Sequence, residues 1–257
     1  MKPSQHETEK RERLGDKYVS GIGFEIGAGQ APSQYADVEH TTYIDKRSRE
    51  WMERKFGEPL PYHVVSWGEA LQMERGDFIV AHHVIEHQRD PIGEFMRWLK
   101  LLKVGGRFFI SLPAPTNVCE RERLLTPIEH ILDDHVFERD FDDRQHVFSA
   151  QCQRFAADGA RSRYSRYSGW GFAHKLLHEM KLEDLDCHFH TYSLEVMGQV
   201  IVAACYFSGM GLLWLHAEDN GSGLYFIGEI RENQGRVPDF IIEYKKRLRE
   251  AQERIKV

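Results

Sequence analysis

Between residues 20 and 113, short apolar segments alternate with helical patterns, and this alternation constrains the fold more than any other feature of the chain. Two of the helical patterns are KRSREWMERKF (46–56) and PIGEFMRWLKLL (91–102). Strands that alternate with helices predict βαβ units and a parallel sheet, whose carboxyl ends meet at one ligand-binding edge. The predicted strands are GIGFEIGAG (21–29), VEHTTYI (38–44), PYHVVS (61–66), GDFIVAHHV (76–84) and GGRFFISLP (105–113). The apolar face of the second helix comprises Ile92, Phe95, Met96, Leu99 and Leu102.

The pattern changes after Pro113, where residues 114–190 are polar and mixed in charge. We predict that this segment is an insertion that acts as an acceptor-binding lid, because a long connection beside the binding edge of a sheet is usually functional. Regularity returns with an apolar helix over 193–207. Two strands within 211–230 follow, joined by EDNGSG, which is typical of a hairpin.

Both ends of the chain are polar. We expect a polar arm or helix over residues 1–18 and an amphipathic helix over 238–257. The whole chain, 1–257, is therefore interpreted as a single domain.

Composition excludes several functional classes. The net charge of −6 and the pI of about 6.2 disfavour a nucleic-acid partner, which usually selects a basic surface. Four scattered cysteines in 257 residues indicate reduced thiols. We find no apolar signal segment and no run of about 18 apolar residues, the length that a membrane span needs. We expect a cytoplasmic protein with no membrane partner; the pattern does not indicate an oligomeric state.

The stretch FEIGAGQAP (24–32) predicts a cofactor turn, because Gly27 and Gly29 allow close approach to a ligand. Asp45 ends the next predicted strand, where an acid can accept hydrogen bonds from ribose hydroxyls. A dinucleotide site would require a third glycine where Pro32 stands, and its pyrophosphate would lie near the Glu25 carboxylate. S-adenosylmethionine carries an ammonium group, and the Glu25 carboxylate can bind this positive charge. A glycine turn without a ligand is the structural alternative.

These segments resemble class I S-adenosylmethionine-dependent methyltransferases. FEIGAGQAP is similar to the first motif of that family, YID (43–45) to its ribose-binding acid, and residues 76–113 to its block from strand four to strand five. The resemblance covers 20–113 well and 193–230 in outline. It implies an α/β fold with a Rossmann-like, mostly parallel seven-stranded sheet. Helices would cover both faces, the last strand would be antiparallel, and an insertion would follow strand five.

The resemblance also implies S-adenosylmethionine as cofactor and assigns residues to each part of it. The methionyl end would contact Glu25, Gly27, Ala28, Gly29 and Gln30. The ribose would contact Asp45 and Lys46, and the adenine would be flanked by Trp67, Gly68 and Glu69. The reactive sulfonium would lie above Ala81, His82 and His83.

The segment AHHVIEHQRDP (81–91) offers a metal-binding alternative, because His83, Glu86 and His87 spell the H-x-x-E-H pattern of some zinc peptidases. That pattern requires a continuous helix, a third ligand and an open coordination position. Here the segment begins in a predicted strand, and Pro91 restarts a helix after a break. We therefore predict no metal at this motif and expect Glu86 and His87 to brace the loop.

Two further segments resemble a subset of methyltransferases that accompanies glycan-assembly enzymes. RERLLTPIEHILDDH (121–135) is similar to a segment of that subset after strand five, and HFHTYSLE (188–195) to its H-x-H-x-W segment, with Tyr192 replacing tryptophan. RQHVF (144–148) is similar to a histidine segment between them. The resemblance implies a sugar, a sugar nucleotide or another small polar acceptor.

Transfer of a methyl group to a hydroxyl benefits from a general base, and histidine can serve near neutral pH. The candidate bases are His130, His190, His83 and His146. The candidate substrate-binding residues are Arg121, Arg123, Glu129, Arg163, Arg166 and Tyr192. The arginines can bind phosphate or carboxylate, although a solvated helix face is the structural alternative for the arginine-rich segment 154–172.

We therefore expect an O-methyltransferase, an enzyme of the methyl-transferring class, that uses S-adenosylmethionine and a sugar-derived or other small polar acceptor. Two alternatives stay open. One is a non-catalytic S-adenosylmethionine-binding domain that assists a partner, and the other is a nicotinamide-dependent oxidoreductase. Binding of NAD without binding of S-adenosylmethionine would identify the latter.

Overall fold

A computed structural model of the chain describes residues 5–35, 37–117, 120, 123–137 and 188–255. The amino-terminal half alternates strands with helices. Its elements are α1 (Gln5–Tyr18), β1 (Ser20–Ile26), β2 (Asp37–Ile44), α2 (Arg49–Phe56), β3 (Val64–Val65), α3 (Trp67–Ala70), β4 (Gly76–His82), a 3₁₀ turn (Ile85–His87), α4 (Pro91–Leu99) and β5 (Leu102–Pro113).

Among the residues that the structure describes, the elements that follow β5 are three helices and one hairpin. They are α5 (Ile128–Val136), α6 (Leu194–Phe207), β6 (Met210–Asp219), β7 (Gly223–Glu232) and α7 (Asp239–Ile255). Asn220 closes the hairpin turn, because its side-chain oxygen accepts hydrogen bonds from the backbone N–H groups of Ser222 and Gly223. Among the described elements, no helix is long and apolar enough to cross a membrane.

The seven strands form one sheet in the order β3-β2-β1-β4-β5-β7-β6. Strands β1 to β5 are parallel, and β7 inserts antiparallel between β5 and β6. The predicted α/β fold with a mostly parallel seven-stranded sheet and an antiparallel last strand is confirmed. Because β1 and β4 are central neighbours, with Ile26 paired to Ala81, their carboxyl ends lie side by side.

Apolar side chains pack on both faces of the sheet. On one face, Leu14 and Val19 of the α1 region pack against Phe78, Phe109 and Tyr225. On the other face, helices α4, α5, α6 and α7 contribute buried side chains to a larger core. Trp98 of α4 is fully buried there, and its indole N–H donates to Glu94 at 2.9 Å. The sheet is therefore packed between α1 on one face and helices α4 to α7 on the other.

The structure corrects two predicted boundaries. The helix predicted over 91–102 ends at Leu99, and Leu102 instead begins β5 and pairs with Gly76. The irregular pairing between Gly76 and Phe78 accommodates this early start, and Gly105 adopts a φ of 86° within the extra segment. The third strand is limited to Val64–Val65 at the sheet edge, because it pairs with β2 alone.

Candidate functional site

The carboxyl ends of β1, β2, β3 and β4 are neighbours along one edge of the sheet. Gly27 follows β1, Asp45 follows β2, Ser66 follows β3 and His83 follows β4. The predicted cofactor residues therefore share one edge, as the parallel topology requires. Their side chains do not all point into one space, however, and several have internal partners.

The turn after β1 requires glycine at two positions. Gly27 and Gly29 adopt φ values of 68° and 60°, which side chains rarely tolerate. A Cβ atom at residue 27 would also lie 2.7 Å from a methyl carbon of Val84. The hydroxyl of Tyr62 donates a hydrogen bond to the Gly29 carbonyl oxygen, and the Gln30 amide donates to Glu58. The turn thus has backbone angles and one close contact that glycine accommodates, and Tyr62 holds it through the Gly29 carbonyl oxygen.

Glu25 lies beneath this turn and is only 3% exposed. Its carboxylate accepts hydrogen bonds from the backbone N–H of Ser33 at 2.9 Å and from the Ser33 hydroxyl at 3.0 Å. Burial raises the pKa of Glu25 to about 7, although the Ser33 hydrogen bonds and the more distant Arg11 partly oppose it. A cation placed near this carboxylate would restore its negative charge. Sequence reasoning missed Ser33, which lies beyond the glycine motif.

Asp45 is positioned at the end of β2 by its own loop. Its carboxylate accepts the backbone N–H of Arg47 at 2.9 Å. Burial raises the pKa of Asp45, against the lowering effects of Arg47 and Lys46. Beside it, the rings of Tyr43 and Tyr62 stack with centroids 4.2 Å apart. These two tyrosines form an aromatic wall between Asp45 and the glycine turn, and the spacing of the motifs did not indicate it.

The residues predicted to flank adenine form the short helix α3. Ser66 caps this helix, and Glu69 accepts hydrogen bonds from the backbone N–H and the hydroxyl of Ser66 at 2.9 and 2.7 Å. The indole of Trp67 packs partly against the core, with the Arg97 guanidinium 5.3 Å from its centroid. Gly68 is exposed. The carboxylate of Glu69 therefore serves the helix cap in this arrangement.

The side chains at the end of β4 diverge. Ala81 is buried in the larger core. His82 turns to the opposite face, where its ring nitrogens contact the Tyr35 hydroxyl at 2.9 Å and the Ser111 hydroxyl at 2.8 Å. Burial lowers the pKa of His82 well below its ordinary value, so the imidazole is neutral. These contacts give His82 a packing role at this edge.

His83 has a φ of 55°, which is the only left-handed value among the non-glycine residues of the described ranges. Its Nε2 atom lies 2.6 Å from a Glu7 carboxylate oxygen, and its Nδ1 atom lies 3.1 Å from Glu86 Oε1. Burial lowers the pKa of His83, but the two carboxylates outweigh this effect and raise it to about 9. A doubly hydrogen-bonded imidazolium does not accept a proton, which argues against His83 as a general base.

Parts of the two predicted acceptor segments, 121–135 and 188–195, lie against each other. The Thr126 N–H donates to the Thr191 carbonyl oxygen at 2.9 Å, and the Thr191 N–H donates to the Thr126 hydroxyl at 3.1 Å. Arg123 is buried, and its guanidinium donates to Glu120 at 2.9 Å and to the His188 carbonyl oxygen at 2.8 Å. Arg123 was predicted to bind substrate, but here it joins the two segments.

His130 and His190 lie together, with ring centroids 5.7 Å apart. His130 Nε2 is 3.3 Å from a carboxylate oxygen of the buried Asp134, one helical turn further along α5. His190 is buried, and its Nε2 atom contacts the Arg89 carbonyl oxygen at 3.0 Å. Tyr192 is buried against His190, with ring centroids 5.9 Å apart. Asp134 is the member of this group that sequence reasoning missed, although its (i, i+4) spacing from His130 on a helix indicates contact.

The remaining predicted acceptor residues lie elsewhere. Glu129 points away from His190 and pairs with Arg247 of α7 at 2.9 Å. The other four, which are Arg121, His146, Arg163 and Arg166, lie outside the residues that the structure describes.

The H-x-x-E-H motif does not form the continuous helix of a peptidase site. Its central residues form a single 3₁₀ turn, Ile85–His87, and the Asp90 side chain then caps α4 by accepting the Gly93 N–H at 2.8 Å. The Glu86 carbonyl oxygen accepts the Phe189 N–H at 2.8 Å. Glu86 thereby joins the β4–α4 loop to the 188–192 segment through its backbone, whereas the bracing role predicted for the side chains of Glu86 and His87 stays a prediction.

Comparisons with known proteins found similarity among solved structures only. No protein-family profile matches the chain, and no curated protein sequence matches it. Among solved structures, the chain is similar to an S-adenosylmethionine-dependent methyltransferase from Mesorhizobium loti, with 11% identity, a TM-score of 0.44 and coverage of 86% of this chain and 96% of the other. A methyltransferase of the same cofactor class from Clostridium acetobutylicum has 9% identity, a TM-score of 0.42 and coverage of 87% and 89%. One from Thermotoga maritima has 12% identity, a TM-score of 0.38 and coverage of 82% and 81%.

Proposed function

We propose that this protein is an S-adenosylmethionine-dependent methyltransferase that methylates a hydroxyl of a sugar, a sugar nucleotide or another small polar acceptor. The observation that carries the proposal is the buried Glu25 carboxylate beneath a glycine turn, beside Asp45 at the end of the neighbouring strand. A cationic amino-acid group would stabilise the charged form of Glu25, and Asp45 would accept the ribose hydroxyls.

The same features disfavour a dinucleotide. A pyrophosphate at the turn would lie close to the Glu25 carboxylate, and its negative charge would raise the pKa of that group further. The turn also carries Pro32 where a dinucleotide site needs its third glycine. Tyr62, which is bonded to the turn through Gly29, instead offers an aromatic surface beside Asp45.

Methyl transfer forms a bond between the acceptor oxygen and the methyl carbon while the bond from that carbon to sulfur breaks. The products are a methyl ether and S-adenosylhomocysteine, and the proton of the hydroxyl must pass to a base. The protein supplies alignment of the two reactants, which can contribute several kcal/mol. His130 is our proposed base, because its Nε2 atom lies 3.3 Å from the Asp134 carboxylate and its side chain is 37% exposed. His190, which is buried and donates to Arg89, would position His130.

Calorimetry tests the cofactor. We expect the chain to bind S-adenosylmethionine and S-adenosylhomocysteine and not to bind NAD or NADH; the opposite pattern would identify an oxidoreductase. The acceptor is then sought by following transfer of a labelled methyl group to a panel of sugars and sugar nucleotides. Cofactor binding without turnover on any acceptor of the panel would favour a non-catalytic partner domain.

The His130→Ala variant tests the base. It should lower kcat by about 10²–10⁴-fold and remove the acidic limb of the pH–rate profile, while cofactor affinity stays the same. A merely structural role would leave the shape of that profile unchanged. His216→Ala is the matched control, since His216 lies on β6, away from α5, where it contacts Glu218 and stacks on Tyr18.

A further inference from the structure

Three potential metal ligands converge between the β4–α4 loop and the segment that leads into α6. One donor atom each from Glu86, His87 and His188 lies within 4.8 Å of the other two. The rings of His87 and His188 meet edge to face, with centroids 4.6 Å apart. This set differs from the H-x-x-E-H motif, because His83 is replaced by His188 from a distant part of the chain.

His188 is oriented by a carboxylate, as histidine ligands of metals commonly are. Its Nδ1 atom hydrogen-bonds Glu120, which leaves Nε2 for another partner. Glu120 is buried and fixed in turn by Arg123 Nη1 at 2.9 Å and by the Thr191 hydroxyl at 2.6 Å. The imidazole of His188 therefore has a defined orientation.

Glu86 provides an independent indication of a ligand. Its side chain is 2% exposed, and Oε1 accepts a hydrogen bond from His83. Its second oxygen, Oε2, is buried and accepts no hydrogen bond from the part of the chain that the structure describes. Leaving such an oxygen without a partner is costly, and a bound cation would remove that cost.

A second group of potential ligands comprises His130, Asp134 and His190. The Nε2 atom of His190 lies 3.0 Å from the Arg89 carbonyl oxygen, so that nitrogen carries a hydrogen and only Nδ1 could bind a metal. Because His130 is already the proposed base for methyl transfer, we assign this second group to acceptor chemistry and the first group to a cation.

We propose that Glu86, His87 and His188 bind a divalent transition-metal ion, with Zn²⁺ as the expected occupant. Two imidazoles and one carboxylate are a ligand set that zinc accepts, with water completing the coordination. Mg²⁺ and Ca²⁺ prefer ligand sets made of oxygen atoms and should bind poorly. The ion would clamp the 188–192 segment onto the β4–α4 loop, next to the proposed methyl-transfer site.

The test uses the full chain, stripped with a chelator and then titrated with Zn²⁺, Mn²⁺ or Mg²⁺. We expect one equivalent of Zn²⁺ by calorimetry and elemental analysis, weaker binding of Mn²⁺, and a thermal transition that rises with Zn²⁺. His188→Ala and Glu86→Gln should abolish the stoichiometric binding, whereas the control His216→Ala should keep it. Glu120→Gln should weaken Zn²⁺ binding by about 10–100-fold, because it removes the charge of the group that orients His188.

Absence of stoichiometric Zn²⁺ from the refilled wild-type chain would overturn the proposal, and so would unchanged Zn²⁺ affinity in His188→Ala. Circular dichroism establishes that each variant is folded. If His188→Ala does not fold, the proposal is tested by Glu120→Gln and by the titration of the wild-type chain. Unchanged Zn²⁺ affinity in Glu120→Gln would then count against the site. Metal binding is measured without S-adenosylmethionine, so failure here and failure of the proposed function are separate results.

Discussion

Replacement of Glu25 by glutamine tests the cofactor hypothesis at its central residue. Glutamine has nearly the same shape, and its oxygen can accept the Ser33 N–H while its amide donates to the Ser33 hydroxyl. The two internal hydrogen bonds can therefore persist, and the substitution removes mainly the charge. Stability and cofactor affinity should then change in opposite directions.

The magnitude follows from the pKa of Glu25, which burial raises from 4.5 to about 7. Below pH 4.5 the carboxyl is protonated in the folded and the unfolded chain, so it does not affect stability. Between pH 4.5 and 7 the unfolded chain releases the proton and the folded chain keeps it. The free energy of unfolding therefore falls as pH rises, by at most about 3 kcal/mol at roughly 1.4 kcal/mol per pH unit. Glu25→Gln should be more stable than wild type at pH 8 and nearly equal to it at pH 5.

Urea denaturation at pH 5 and pH 8 measures the stability difference, with Glu39→Gln on β2 as an exposed control. Calorimetry over the same pH range measures affinity for S-adenosylmethionine. We expect wild-type affinity to decrease below pH 7, as Glu25 takes up its proton, and the weaker affinity of Glu25→Gln to lack this dependence. Equal affinity of the two proteins at pH 8, or a stability difference that does not change with pH, would refute the reasoning.

Two further substitutions test the ribose site and the sheet. Asp45→Ala should weaken S-adenosylmethionine binding by about 10–100-fold, the effect of losing a charged hydrogen-bond acceptor, whereas Asp37→Ala at the exposed start of β2 should not; calorimetry distinguishes them. Gly228→Ala should lower the free energy of unfolding by about 1–3 kcal/mol, because its Cβ would lie 2.5 Å from Phe108. A Cβ at Gly198 in α6 would have no atom within 4 Å, so Gly198→Ala should be neutral or stabilise the protein by up to about 1 kcal/mol. Similar urea midpoints for Gly228→Ala and Gly198→Ala would contradict this account.

The sheet could be predicted because its signals are local. Apolar runs of strand length and the EDNGSG turn identify strands and hairpin without knowledge of distant contacts. The predicted end of α4 was wrong because an apolar residue such as Leu102 fits the buried face of a helix as well as a buried strand. Only the pairing of Leu102 with Gly76 shows that it belongs to β5. Local pattern cannot supply that pairing.

The site was harder to predict because its side chains form hydrogen bonds with residues that are distant in the sequence. The pattern places Glu25 and Asp45 at strand ends, but it does not reveal Ser33 or the stacked tyrosines. His83 directly follows β4 in the sequence, but its hydrogen bond to Glu7 depends on how α1 packs against the sheet. The sequence does not single out Glu120, and it marks His188 only as part of HFHTYSLE; their contact arises when Glu120 and residues 123–126 meet the 188–192 segment.

The pairing of Thr126 with Thr191 has an evolutionary consequence. Because these two points of the chain are adjacent, a change in chain length between the end of α5 and His188 need not displace any strand. Selection can therefore alter the length of that stretch while the order of the sheet is preserved. Divergence among descendants of such a protein should accumulate there faster than in the strands of the sheet.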